Sequence, residues 1–161
     1  MGVLMDVAII YVSKTGTTEK CAIELARRLK NATIFDLSKG EFCIAKYDML
    51  VFGSPVRMGR IDRRIKKFIT KNMNQILNKK LAFFICNSIY NDTNKVFESN
   101  LETTIRKKAI CLNSFGGLIN LNKQKGIDKF IVKMILKNPN IELPKIDEQA
   151  IDEFAEKLLL A

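Results

Sequence analysis

Ser13-Lys14-Thr15-Gly16-Thr17-Thr18 is the stretch from which the fold of this chain is best predicted. It follows the apolar run Val7–Val12 and precedes a helical pattern that starts near Thr17, which indicates a tight turn from a buried strand into a helix. The first amides of such a helix lack partners within it, and the helix dipole adds partial positive charge at the same end. Hydroxyl side chains add further donors, and Gly16 allows close backbone approach or a positive φ. The stretch therefore predicts a phosphate-binding loop.

Two common phosphate-binding motifs are absent from the sequence. It contains neither Gly-x-x-x-x-Gly-Lys-Ser/Thr nor Gly-x-Gly-x-x-Gly, so the loop is of neither the Walker type nor the dinucleotide-binding type. A hydroxyl-rich helix cap without a ligand is the alternative interpretation. A single N-cap residue would be enough for capping, which favours the phosphate loop.

Length and composition indicate one globular domain over residues 1–161. No signal peptide opens the chain and no apolar run is long enough to cross a bilayer, so we expect a cytoplasmic protein. The absence of histidine argues against a zinc hydrolase or a histidine-dependent catalytic triad. We expect no metal site. The cysteines have no Cys-x-x-Cys spacing and are predicted to be reduced thiols in the core: Cys21, Cys43, Cys86 and Cys111.

Apolar runs typical of strands alternate with amphipathic helical patterns along the chain. The predicted strands cover residues 7–12, 33–37, 47–53, 81–86 and 109–115, and the predicted helices cover 17–31, 61–77 and 94–108. A last helix, capped by Asp147, is predicted to bury Ile151, Phe154, Leu158 and Leu159. The alternation predicts an α/β fold with a doubly wound, five-stranded parallel sheet and helices on both faces. With the phosphate loop after the first strand, the expected strand order is 2-1-3-4-5.

The phosphate loop matches the Ser/Thr-x-Thr-Gly-x-Thr pattern of flavodoxins, and the chain resembles that family. Further matches are Val51–Gly59, the basic helix after it, Phe84–Asn87, and Gly116-Gly117 followed by Asp128–Ile135. Together they are similar to the flavodoxin-domain family that includes bacterial menaquinone-dependent protoporphyrinogen IX dehydrogenases. The resemblance implies an FMN-dependent oxidoreductase that takes hydrogens from protoporphyrinogen IX and passes electrons to a quinone. A flavodoxin-type electron-transfer protein serving a partner enzyme stays open as the alternative.

The resemblance implies that three loops hold FMN, with the phosphate on the first and the isoalloxazine ring between the other two. The candidate cofactor-binding residues are Ser13, Lys14, Thr15, Gly16, Thr17 and Thr18, then Ser54, Pro55, Val56, Arg57, Met58 and Gly59, and finally Asn87, Ser88 and Tyr90. Tyr90 is the only aromatic residue in the second and third loops, so it is predicted to stack on the ring, with Met58 on the opposite side. A half-exposed loop tyrosine is the alternative for Tyr90, and a solvated charge is the alternative for Arg57.

A net charge of +10 distinguishes this chain from electron-carrier flavodoxins, which as a family are acidic. A basic flavoprotein fits an anionic substrate such as a porphyrinogen, or an anionic membrane surface, better than it fits a basic redox partner. A Lys-, Asn- and Ile-rich compositional bias without a functional role is the alternative explanation of the charge. The extra basic amphipathic segment at about 123–137 has the form of a helix that lies on the inner face of a membrane. Docking of its apolar face on the domain or on a second subunit is the alternative. Nucleic-acid binding is not expected, since no basic stripe is interleaved with aromatic residues.

Overall fold

A parallel sheet forms the centre of the protein. The computed structural model describes residues 4–87, 92–117, 133, 137–138 and 145–161. The strands are β1 (Val7–Tyr11), β2 (Ala32–Asp36), β3 (Met49–Arg57), β4 (Arg60–Ile61), β5 (Lys80–Cys86) and β6 (Ala109–Ser114). Five of them pair in parallel in the order β2-β1-β3-β5-β6, and the short β4 pairs antiparallel with β3 outside this order. β5 and β6 correspond to the fourth and fifth predicted strands, because the short β4 was not predicted. The predicted order 2-1-3-4-5 is therefore confirmed.

Helices cover both faces of this sheet. They are α1 (Thr17–Arg28), α2 (Arg63–Lys71), α3 (Met73–Ile76), α4 (Thr93–Asn100), α5 (Thr103–Lys108) and α6 (Glu148–Leu159), and a short 3₁₀ helix covers Leu37–Lys39. Leu25 of α1 and Phe154 of α6 belong to the core on one face. The core on the other face includes buried residues from each of α2 to α5, among them Ile65, Ile76, Phe97 and Ile105.

Alternate residues of β1 enter these two cores. Ile9 and Tyr11 pack towards α1 and α6, whereas Ala8 and Ile10 pack towards the other helices. Because both faces of a parallel strand are covered, its sequence is a continuous apolar run instead of an alternating one. Burial of both faces therefore explains why a strand such as β1 can be recognised in the sequence as an apolar run.

Two predicted helices are each broken in the structure. The helix predicted over 61–77 is observed as two helices, α2 and α3, which are separated at Asn72. The side-chain amide of Asn72 donates to the Phe68 carbonyl at 2.9 Å, an acceptor that it shares with the backbone hydrogen bonds of the helix. The helix predicted over 94–108 is interrupted at Leu101, which is extended (φ −118°, ψ 139°) and buried in the core. Its carbonyl accepts a hydrogen bond from Arg106 Nε at 3.1 Å. Burial of Leu101 in this conformation outweighs continuation of the helix.

The C-terminal helix follows the prediction with one exception. Asp147 caps α6 by accepting a hydrogen bond from the Ala150 amide at 2.9 Å. Ile151, Phe154 and Leu158 are buried, but Leu159 is 58% exposed because it falls off the apolar stripe of the helix.

The predicted basic segment at about 123–137 lies outside the described residues, apart from Lys133 and Lys137. No helix in the part of the chain that the structure describes is long and apolar enough to cross a membrane.

Candidate functional site

The predicted phosphate loop forms a tight turn between β1 and α1. Gly16 has φ 93° and ψ −10°, a left-handed conformation that glycine adopts without steric cost. Its amide donates to Ser13 Oγ at 3.1 Å, which closes the turn. The Gly16 carbonyl accepts from the Lys20 amide at 3.0 Å, so the helix starts immediately after the turn. The predicted start of the helix at Thr17 is therefore confirmed.

The first backbone amides of α1 are hydrogen-bond donors that no N-cap side chain occupies. Gly16 is the N-cap residue and supplies no side-chain hydrogen bond to the first turn. The first-turn amides are then left to water or to a ligand that approaches the loop. Ser13 and Thr15 are half-buried, whereas Thr17 and Thr18 are buried, with 9% and 1% of their surface exposed. Of these four residues, Thr18 is therefore the least accessible to a ligand.

Lys14 lies in a positive electrostatic environment. Partial burial, followed by the neighbouring Arg57 guanidinium, lowers the pKa of the Lys14 amine, while the Asp62 carboxylate acts in the opposite direction. Arg64 contributes a smaller effect of the same sign as Arg57. The side chains of the first two predicted loops thus lie close enough to interact.

The second predicted loop is a β-hairpin. Residues 54–57 complete β3, and Arg57 and Val56 pair with Arg60 and Ile61 of β4. Met58 and Gly59 form the two-residue turn, with φ values of 50° and 72°. Two consecutive positive φ values are what a type I′ turn requires, and its twist matches that of the strands. The sequence gives only a weak signal for this turn, because Met-Gly stands where Asn-Gly is the usual pair.

Asn100 of α4 holds this hairpin in place, a role that the sequence did not suggest. Its side-chain amide donates to the Gly59 carbonyl at 2.8 Å, and its Oδ1 accepts from the Ile61 amide at 3.2 Å. The same amide also donates to the Val96 carbonyl at 2.7 Å within α4. The position of the hairpin is therefore fixed from outside the site.

The side chain of Ser54 has a structural role. Its hydroxyl accepts from the Asp62 amide at 2.8 Å and donates to the Pro55 carbonyl at 2.9 Å, and the residue is only 3% exposed. Asp62 in turn caps α2 by accepting from the Arg64 amide at 2.9 Å, and it also accepts from the Arg64 guanidinium. These bonds join the end of β3 to the start of α2, so the Ser54 hydroxyl is already engaged within the protein.

At the third predicted loop the structure describes Asn87, whereas Ser88 and Tyr90 lie outside the described residues. Asn87 Oδ1 accepts from the Ser114 hydroxyl at 2.9 Å, and the Asn87 amide donates to the Gly116 carbonyl at 3.0 Å. Gly116 donates to Ser114 Oγ at 3.2 Å. This network fixes the carboxyl ends of β5 and β6 relative to each other.

The carboxyl ends of β1 and β3 bring the first two loops together. Tyr11 pairs with Gly53, and the Val12 amide donates to the Gly53 carbonyl at 3.2 Å. Beside them lies a cleft of about 420 Å³, which we call the basic cleft. It is lined by Lys14, Pro55, Arg57, Arg60, Ile61, Asp62, Arg63 and Arg64. Within the described ranges, no group of three or more acidic, cysteine or histidine residues is arranged to hold a metal ion.

The chain was compared with known protein families and structures. Its sequence matches the model of the Flavodoxin domain family over residues 8–141. A comparison with curated protein sequences found no match.

Several solved structures are similar in fold. A short-chain flavodoxin associated with a non-canonical PDU bacterial microcompartment superposes with a TM-score of 0.62 at 16% identity, covering 97% of each chain. A flavoprotein from Lactobacillus acidophilus in complex with FMN gives 0.55 at 18% identity, covering 68% of this chain and 93% of that one. A flavo di-iron protein variant from Thermotoga maritima gives 0.60 at 14% identity, covering 96% of this chain but 35% of that one.

These similarities support the fold, and the family match covers most of the chain. By that match, the chain belongs to the Flavodoxin domain family.

Proposed function

We propose that this protein binds FMN and acts in electron transfer or as an oxidoreductase. The observation that carries the proposal is the left-handed turn at Gly16, which leaves the first amides of α1 without a side-chain cap. A flavoprotein from Lactobacillus acidophilus with a similar fold was solved in complex with FMN, which supports the choice of cofactor.

The donors in the phosphate loop fit a phosphate group. The stretch 13–18 contains hydroxyls, a lysine and a glycine but no carboxylate. The hydroxyls of Ser13, Thr15 and Thr17 would donate to the phosphate oxygens together with the amides of the first helical turn. Thr18 would contribute through its amide, because its side chain is buried and only 1% exposed.

The ring would lie between the β3–β4 hairpin and the loop after β5. Backbone groups from Pro55 to Gly59 would line one side, and Asn87, Ser88 and Tyr90 the other. Met58 is 87% exposed at the tip of the hairpin, which suits a side chain that covers a bound ring. The hydrogen bonds of Asn100 would keep the hairpin at a fixed distance from that ring.

Bound FMN would supply the redox chemistry, while the protein supplies position and electrostatic environment. The chain contains no histidine, so proton transfer would fall to water or to the substrate itself. The residues of the hairpin would exclude water from one side of the ring and place their backbone groups against it.

A protoporphyrinogen IX dehydrogenase that passes electrons to a quinone is the narrower hypothesis that the family resemblance suggests. The basic cleft beside the predicted phosphate loop favours an anionic substrate over a basic partner protein. A peripheral contact with an anionic membrane would bring such an enzyme to its quinone. An electron carrier that serves a partner enzyme is the alternative, and it would need no substrate cleft.

Substitution of the loop hydroxyls tests the cofactor site. The double variant Thr15→Glu/Thr17→Glu should lose FMN on gel filtration, because two carboxylates would repel the phosphate. The matched control Thr103→Glu/Thr104→Glu changes two exposed threonines at the start of α5 and should retain it. Equal retention of FMN by both variants would overturn the proposed phosphate loop.

A second experiment separates the enzyme from the carrier. FMN-loaded protein is mixed without oxygen with protoporphyrinogen IX, and the visible absorbance of the flavin is recorded. Rapid bleaching that a menaquinone analogue reverses would support the dehydrogenase, whereas unchanged absorbance would favour the carrier.

A further inference from the structure

Helix α2 carries a dense set of cations on its solvent side. Between Arg63 and Lys71 it contains five Lys or Arg residues and no acidic residue. Its buried residues are all apolar, so the cations occupy the remaining sides of the helix. A helix N-terminus favours acidic side chains, yet beyond the N-cap Asp62 the first turn of α2 has none. The stability of the helix therefore does not explain its charge.

Two of the five cations have a carboxylate of their own. Arg64 pairs with Asp62 at 3.0 Å, and Lys71 pairs with Glu41 at 2.6 Å. The hydrogen bond from Lys71, with a smaller contribution from Lys67, holds the pKa of the Glu41 carboxyl below its ordinary value. Among the residues that the structure describes, none forms an ion pair with the other three cations: Arg63, Lys66 and Lys67. Their charge is therefore largely uncompensated.

A groove of about 550 Å³ lies beside these cations, lined by the hairpin, α2 and α4. Its lining includes residues 58–60 of the hairpin, Lys66 of α2 and Lys95 of α4. Asp92 is the one carboxylate in this lining, and it caps α4 by accepting from the Lys95 amide at 3.2 Å. We call the groove, together with the neighbouring exposed side chains of α2, the α2–α4 face. Its cations are Arg60, Arg63, Lys66, Lys67 and Lys95.

The cations of the α2–α4 face repel one another. Lys66 and Lys67 lie three and four positions after Arg63, the spacings at which side chains on a helix are neighbours. Like charges at these spacings destabilise a helix. Carboxylates supplied by a partner would convert this repulsion into attraction. The face is therefore better suited to binding an acidic partner than to stabilising the free protein.

The shape and composition of the face favour an acidic protein over a membrane or a nucleic acid. The tip of an acidic loop can enter the groove, whereas a flat bilayer surface cannot. The solvent side of α2 exposes no large apolar side chain that could insert into lipid. The described residues of the face include no aromatic side chain on which a base could stack.

We propose that the α2–α4 face docks a partner protein through a protruding acidic loop whose carboxylates enter the groove. The hairpin tip borders both this groove and the proposed flavin site, so the docked partner would lie next to the flavin. That position rests on the proposed function, and it gives the carrier alternative a partner of defined charge. The docking of an acidic loop does not itself require the flavin.

The first experiment measures binding of a fluorescent oligoglutamate peptide to the full chain at low ionic strength, with and without saturating FMN. Fluorescence anisotropy should show binding in both states, and the binding should weaken as salt is added. The variant Lys66→Gln/Lys67→Gln/Lys95→Gln should bind the peptide about tenfold more weakly, because it removes three cations of the face. None of these lysines lines the basic cleft, so the variant leaves the cations of that cleft in place.

A matched control separates the face from the net charge of the chain. Lys107→Gln/Lys108→Gln/Lys157→Gln removes the same charge from exposed positions on α5 and α6. It should change the affinity for the peptide by less than about twofold. Equal losses in the two variants, or no binding by the wild type, would overturn the proposal.

Carbodiimide coupling locates the peptide on the wild-type protein and depends on no variant. The reagent joins a glutamate carboxylate to a nearby lysine amine through an amide bond, and mass spectrometry then identifies the lysine. We expect coupling at the three lysines of the face: Lys66, Lys67 and Lys95. Coupling spread evenly over the control lysines, or concentrated at Lys14 in the basic cleft, would overturn the proposal.

Thermal unfolding shows whether the lysines of the face have a structural role instead. Because their charges repel one another, the face variant without peptide should melt at the same temperature as the wild type or higher. The peptide should raise the melting temperature of the wild type and not that of the variant. A marked fall in the melting temperature of the peptide-free variant would overturn the proposal.

Competition tests the other two kinds of occupant. Vesicles of phosphatidylglycerol and phosphatidylcholine, and separately a short DNA duplex, should leave the oligoglutamate peptide bound to the wild type. Displacement by either competitor, together with loss of that competitor's binding in the face variant, would assign the face to a membrane or to nucleic acid and overturn the choice of a protein. If the peptide binds while FMN does not, the proposed function fails and the docking face remains. If FMN binds while the peptide does not, the docking face fails and the proposed function remains.

Discussion

Replacement of Gly53 by alanine is the substitution whose consequence the structure defines most sharply. Gly53 lies in β3 between Tyr11 of β1 and Phe84 of β5, directly below the candidate site. A Cβ atom added there would lie 2.2 Å from Cζ of Phe84 and 2.7 Å from its Cε1 and Cε2. Carbon atoms in contact prefer about 3.5–4.0 Å, so the ring would have to move by about 1 Å or more.

The surroundings of Phe84 oppose such a movement. The ring is 1% exposed and stacks on Phe115 with centroids 4.5 Å apart, and Phe154 meets it edge-on at 6.3 Å. Overpacking of a core costs about 1–3 kcal/mol, and a disturbed aromatic pair adds about 0.5–1.5 kcal/mol. We therefore expect Gly53→Ala to lower the free energy of unfolding by about 2–4 kcal/mol, out of a typical total of about 5–15 kcal/mol.

Urea denaturation followed by far-UV circular dichroism measures this loss, since the chain has no tryptophan to report by fluorescence. The control is Phe84→Leu, alone and combined with Gly53→Ala. The smaller side chain should relieve the clash, so the double variant should be more stable than the sum of the single losses predicts, by about 1 kcal/mol or more. A loss below about 0.5 kcal/mol for Gly53→Ala, or full additivity in the cycle, would refute the reasoning.

Three further predictions concern the hairpin, pH and the thiols. Gly59→Ala should lower the free energy of unfolding, measured by urea denaturation, by about 1 kcal/mol. The cost comes from the backbone alone, because φ is 72° while no other atom lies within 4 Å of the added Cβ. An unchanged free energy of unfolding would show that the turn is not left-handed. Burial alone would raise the pKa of the Asp62 carboxyl, but hydrogen bonds from Arg64 outweigh it and hold the pKa below its ordinary value. Its stabilising contribution should therefore be complete above about pH 4 and disappear as the pH falls through the lowered pKa, and Asp62→Asn should lack this part of the pH dependence of unfolding. The prediction of a core position is wrong for Cys43, which is exposed, so native alkylation followed by mass spectrometry should label this thiol. Labelling of the buried thiols would contradict their core positions: Cys21, Cys86 and Cys111.

The strand order could be predicted because its signals are local. The apolar runs of the strands are continuous, since helices cover both faces of the sheet, and Gly16 marks the turn into α1. Capping by Asp147 was equally readable, because an aspartate before an amphipathic pattern has few other roles.

What the sequence could not predict depends on tertiary contacts. The break at Leu101 exists because that residue packs in the core while extended, and no local residue signals it. The hairpin at Met58 lacks the usual Asn-Gly pair and is held by Asn100 from another element. The commitment of the Ser54 hydroxyl to the start of α2 likewise depends on a residue brought close only by folding.

The comparison of FMN with riboflavin tests the central claim most directly. Protein freed of flavin is titrated into each compound, and the quenching of flavin fluorescence gives the two dissociation constants. The account predicts that FMN binds about 100-fold or more tightly than riboflavin, since riboflavin lacks the phosphate that the loop at Ser13 to Thr18 would hold through charge-assisted hydrogen bonds worth about 1.5–3 kcal/mol each. Equal affinities for the two compounds, or no binding of FMN, would contradict it.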